Sequence, residues 1–194
     1  MLNKKQYFVR EHIGMFKLSG VYDILDPETQ EQLGVAKEEI SGGLHFLRFL
    51  INKQLLPTTV NVYEGTESRP DKLQFSIKKG IMLFRSRVEV VGRDGQILGS
   101  FKSKVFSLGG AFRVFDDMGE EIALIKGDWK GWNFKFLFGD EELGSVTKKW
   151  TGIGKELFTS ADNYIITLNG DINEAQAILL LAAGLAVDIV YKER

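Results

Sequence analysis

Cysteine is absent from this 194-residue chain. Its absence excludes thiol nucleophiles, cysteine-ligated zinc and disulfide scaffolds, and it suits a reducing compartment. Histidine is nearly absent, with His12 and His45 the only two. No Gly-x-Ser-x-Gly elbow, phosphate-binding Walker loop or His-Glu-x-x-His helix occurs. An enzyme is therefore not expected, and neither is a cofactor or a bound metal. Proline is scarce, and Pro27, Pro57 and Pro70 all fall in the first 70 residues. From Asp71 onward nothing removes a ladder donor, which suits uninterrupted strand pairing. No sign of charge dominates, because 25 Lys and Arg face 26 Asp and Glu for a formal net charge of −1. There is no global basic field to draw the chain to nucleic acid, and no such partner is expected. Residues 1–10 lack the apolar run of a secretory signal. The expected location is cytoplasmic, with peripheral membrane association as the open alternative.

What is present reads mainly as β-structure. Hydrophobic residues make up 44% of the chain and charged residues 26%, an ordinary globular balance. A single domain over residues 1–194 would bury roughly 70% of its unfolded surface without staples. A hairpin-like unit recurs: an alternating strand, an acidic or glycine turn, and a second strand. It occurs at 21–34, 88–99, 112–123 and 134–144, and the turn residues Asp94, Asp116 and Asp140 are 22 and 24 residues apart. Regular short strands with turn signals point to a meander, sandwich or barrel.

Two segments break that pattern. Residues 44–56 read as a short amphipathic helix ended by Pro57, either packed over a barrel end or dipping into a membrane surface. The other is apolar or glycine at every position from Ala177 to Val187. A helix apolar on all sides needs apolar surroundings, lipid or protein. Length favours protein: eleven residues rise about 16 Å, whereas a bilayer core of about 30 Å takes about 20 residues. Asp188 closes the run, and a carboxylate at membrane depth costs about 3 kcal/mol. Asp171 or Asn173 is positioned to cap this helix, with Glu174 in its first turn.

Gly144, Lys149-Trp150, Phe158-Thr159, Ala161-Asp162-Asn163-Tyr164 and the terminal Asp188 and Tyr191 occur in an order that resembles the phospholipid scramblase and LURP-one-related families. The resemblance covers roughly residues 88–191. It implies a Tubby-like fold, a closed antiparallel barrel of about twelve strands around a buried C-terminal helix. Function transfers less directly, because one fold carries several roles. Tubby proteins bind phosphoinositides, scramblases are associated with calcium-dependent lipid movement, and LURP-one proteins with plant defence. The calcium segment of the scramblases opens with an acidic residue. Its counterpart here, 160–171, opens with Ser160, and Asn169 and Gly170 replace the family's proline and apolar residue. Asp162 and Asp171 remain, fewer carboxylates than a hard cation requires, so calcium is not expected.

The clearest candidate site lies on the hairpin around Asp94-Gly95. Taking these two as the turn places Arg93 opposite Gln96, Val88 opposite Phe101, Arg87 opposite Lys102 and Arg85 opposite Lys104. Alternation turns Val88, Val90 and Phe101 inward and Arg85, Arg87, Lys102 and Lys104 outward. Directly opposed like charges are unfavourable, so four together suggest an anion such as a phospholipid headgroup. The competing explanation is a solvated strand edge whose cations block aggregation. Three functions follow: a non-enzymatic Tubby-like domain binding anionic lipid at a membrane surface, a scramblase-like lipid translocator, or a protein-interaction module without a ligand. Trp129, Trp132 and Trp150 are expected in the core or at its rim.

Overall fold

The structure is a computed structural model. It describes residues 1–12, 20–39, 57–80, 87–103, 111–128, 132–148 and 163–191. The segment 44–56 lies outside these residues. The chain forms β1 (Gln6–Glu11), β2 (Val21–Leu25), β3 (Gln32–Glu39), β4 (Thr58–Glu64), β5 (Leu73–Lys79) and β6 (Arg87–Gly92). It continues through β7 (Ile97–Ser103), β8 (Ala111–Asp116), β9 (Glu121–Asp128), β10 (Asn133–Phe138), β11 (Glu141–Thr147), β12 (Asn163–Leu168) and the helix α1 (Glu174–Tyr191). Each strand pairs antiparallel with its sequence neighbours, and β12 returns to β1 in register Phe8 to Ile165, closing a twelve-stranded barrel. The expected barrel around a C-terminal helix is therefore the observed architecture.

Alternation explains the wall. In β10, Phe134 and Phe136 are buried while Lys135 between them is exposed. In β8, Phe112 and Val114 are buried and Arg113 is exposed. The inward residues meet α1, whose side chains from Ala177 to Val187 share one core cluster with them. Twelve strands about 4.8 Å apart and tilted by about 40° give a barrel about 24 Å across. That leaves room for one helix on the axis, and for one with small side chains. Gly99 marks one close approach of wall to helix, since a Cβ there would lie 2.7 Å from Leu179 Cδ2.

The helix starts where its sequence provides a cap. Asn173 Oδ1 accepts the backbone N–H of Gln176 at 2.9 Å, and Gln176 Oε1 accepts that of Asn173 at 3.0 Å. This reciprocal pair satisfies two donors that the first helical turn leaves open. Of the two expected caps, Asn173 is the one used.

Every described hairpin tip shares one construction. The pairs β2–β3, β4–β5, β6–β7, β8–β9 and β10–β11 each carry a register shift close to the turn. Each tip also has one residue in the left-handed region: Gln30, Gly65, Gly95, Gly119 or Gly139. An extra residue bends and twists its strand, and five of them along one rim help curl the sheet toward closure.

Candidate functional site

The β6–β7 hairpin corrects the expected turn while keeping the expected pairing. Gly92, not Arg93, faces Gln96: its N–H donates to Gln96 O at 2.8 Å, and Gly95 N–H donates to Gly92 O at 2.9 Å. Three residues, Arg93, Asp94 and Gly95, make the turn, with Gly95 at φ +85°. This is a three-residue loop closed by a left-handed glycine, the next most common hairpin connection after the two-residue turn. A bulge at Leu98 then restores the count, so Arg87 faces Lys102 and Val88 faces Phe101. The two offsets cancel.

Val88, Val90 and Phe101 are buried, and Arg87 and Lys102 are exposed on the outer wall. Arg85 and Lys104 lie outside the described residues. The next strand extends the row, because Lys102 also faces Arg113 of β8. Lys126 of β9 stands diagonal to Arg113, beside Ala111, and directly faces Lys135 of β10. Five successive strands thus each present one exposed cation: Arg87, Lys102, Arg113, Lys126 and Lys135. At about 4.8 Å per strand the band is roughly 19 Å wide.

Three of the five have a carboxylate nearby. Arg87 Nε lies 3.3 Å from Glu89, Arg113 Nη1 3.3 Å from Glu121, and Lys135 Nζ 2.6 Å from Glu142. All of these groups are more than a third exposed, so the pairs contribute little and are screened by salt. Among the described residues Lys102 and Lys126 have no ion pair. Lys102 Nζ sits 4.2 Å above the Phe115 ring, which holds its stem against the wall while leaving the charge in water.

The opposite side of the barrel differs. Phe8, Leu25 and Ile165, on β1, β2 and β12, form a small buried cluster separate from the central core. Their neighbours Tyr7, Val9, Ile24, Tyr164 and Ile166 point into that core. These three strands thus carry buried apolar residues on both faces, while the outer face of β6–β10 carries exposed cations.

Two polar features elsewhere are fully used within the fold. Asp23 accepts from Arg10 Nη2 at 2.8 Å and His12 Nε2 at 2.7 Å on one oxygen, and from Gln32 Nε2 at 3.2 Å on the other. Burial would raise its pKa, but the hydrogen bonds from Arg10 and His12 outweigh it and hold the carboxyl below its usual value. This cluster ties β1 to β2 and β3. Trp132, at φ +46°, packs 6.1 Å from Phe134 and 5.7 Å from Tyr164, with Lys148 Nζ 4.1 Å over its ring. It stands at the rim, as expected; Trp129 and Trp150 lie outside the described residues.

Cavities occur at the turn end of the barrel. One of about 520 Å³ is lined by residues 1–5 together with Glu64, Gln74, Ile172, Glu174 and Ala177. A second, of about 400 Å³, is lined by Glu120, Phe138, Glu141, Asp171 and Ile172 among others. They reach only the first turn of α1, because the helix fills the axis beyond it.

The scramblase family model matches residues 66–194. The chain belongs to the scramblase family. The matched region runs from just before β5 through α1, so it contains the whole cationic band. Phospholipid scramblase 1 of Mus musculus is 33% identical over 64 residues, 32% of this chain and 20% of that protein. The similarity thus spans about a fifth of that relative's length. No solved structure matches the chain.

Proposed function

We propose that this scramblase-family chain acts as a single non-enzymatic, Tubby-like unit in the cytoplasm. In this reading it binds anionic phospholipid headgroups peripherally through the outer wall of β6–β10. The observation that carries the reading is the register Arg87–Lys102–Arg113, continued by Lys126 opposite Lys135. Like charges placed directly across a ladder destabilise it, and a bound anion offsets that repulsion. Barrel closure weakens the competing explanation, because a closed sheet has no edge for cations to guard. The axis is occupied by α1, which directs a ligand to the outside. The same wall supports docking on a surface over insertion as a membrane barrel. Lys or Arg facing lipid at the bilayer midplane costs about 2–4 kcal/mol each, and this wall presents five. Among the described residues no helix is long and apolar enough to cross a membrane.

Flotation with phosphatidylcholine vesicles, with and without phosphatidylserine, tests the proposal. Binding is expected only where phosphatidylserine is present. K102Q/K126Q removes two cations without an ion pair, worth about 1 kcal/mol each near an anionic surface, so affinity should fall roughly thirtyfold. K135Q removes a cation already paired with Glu142 and should cost less. Equal binding by wild type and K102Q/K126Q would sink the proposal.

A further inference from the structure

The strand order gathers one sign of charge at one end of the barrel. Because consecutive strands alternate in direction, the five described hairpin tips, the residues before β1 and the link from β12 to α1 all lie at the same end. Residues 1–5, 26–31, 64–72, 92–97, 116–121, 138–142 and 169–174 make up this tip end. They hold sixteen of the chain's 26 carboxylates and five of its 25 basic residues. The other described residues carry ten basic residues against seven carboxylates. The net charge of −1 therefore conceals a strongly acidic tip end.

The cationic band stands back from these tips. Arg87 precedes Gly92, where β6 ends and the turn begins, by five positions, about 17 Å along an extended strand. Glu89, Glu121 and Glu142, the carboxylates beside band cations, each lie on the tip side of their partner.

We infer that the barrel docks on an anionic bilayer in one orientation, with the β6–β10 wall toward the headgroups and the acidic tip end turned to the aqueous phase. This rests on the headgroup reading above and adds the geometry of docking. At physiological salt the Debye length is about 8 Å. The Arg87 end of the band can therefore engage a surface while its tip stays about two Debye lengths away. Turning the tips to the same surface would bring their carboxylates within one Debye length of anionic headgroups. The charge separation also steers the approach before contact. The exposed Met118 and Phe138 and the cavity of about 400 Å³ that Phe138 lines are left facing water.

The cysteine-free sequence makes single-site labelling direct. An environment-sensitive fluorophore is placed on M118C, at the β8–β9 tip, or on N133C, exposed on β10 two residues from Lys135. Quenching by a lipid-anchored quencher is then read on phosphatidylcholine vesicles with phosphatidylserine. Flotation of the same samples reports binding, and vesicles without phosphatidylserine give the background. The label on N133C should be quenched several-fold more than the label on M118C. Adding D117K/D140K, at two exposed tip carboxylates, should narrow that difference. Equal quenching of the two labels in samples that float overturns the orientation and leaves headgroup binding standing. Failure to float overturns the headgroup reading, and the orientation with it.

Discussion

Asp26 shows how a single residue holds the β2–β3 turn. Its carboxylate accepts from Lys4 Nζ at 2.8 Å and from the backbone N–H groups of Thr29 and Glu28 at 3.1 and 2.9 Å. Lys4 contributes most, then the two N–H groups, and together they lower its pKa to about 2. A depressed carboxylate stabilises the fold above its unfolded pKa and loses that contribution as pH falls through the folded value. The window is therefore about pH 4 down to about pH 2. D26N should melt below wild type at pH 7, and the two melting temperatures should converge as pH falls to about 2. A gap that stays constant across this range would show that the charge is not what stabilises the turn. This site was not legible in sequence. Asp26 reads as an ordinary turn carboxylate, and its cation arrives from 22 residues away by strand pairing.

The elements follow local rules that the sequence displays openly. Alternation gives the inward Phe134 and Phe136 and the outward Lys135, and the acidic and glycine turns mark the tips. Bulges were not legible, because an extra residue leaves no signature in a run such as 97–103. The β6–β7 register came out as expected only because the three-residue turn and the bulge at Leu98 offset each other. The helix's apolar run was legible, but not which of its positions touch the wall. Gly184 is one: a Cβ there would lie 2.6 Å from Ile166 Cδ1 and 2.9 Å from Ile166 Cγ1. Alanine gains about 1 kcal/mol of helix propensity over glycine. Overpacking a filled core costs about 1–3 kcal/mol, and Ile166 is fully buried with little space to move. The packing term wins, so G184A should lower the melting temperature by a few degrees despite its better propensity. A rise would mean that the helix has slack inside the barrel.

For the whole molecule, the buried helix decides where function can lie. Its length and Asp188 favour protein over lipid as its surroundings. The barrel then proves to be that protein, with Ala177 to Val187 buried in its core. A filled axis leaves the outer wall and rims, and of these the β6–β10 wall carries the like-charged register. Only one edge of that wall was visible from sequence. Arg87 and Lys102 were legible from one hairpin, whereas Arg113, Lys126 and Lys135 join them through the pairings of β7 with β8 and β9 with β10. Alternation could have marked all three as outward-facing, but their adjacency needed the strand order. The most direct test of the account is vesicle affinity measured against salt concentration, for wild type and K102Q/K126Q in parallel. The account predicts that wild-type affinity for phosphatidylserine vesicles falls steadily as salt rises and that the variant falls less steeply, since two screened charges are gone. Wild-type affinity independent of salt, or an identical slope for the two proteins, would contradict it.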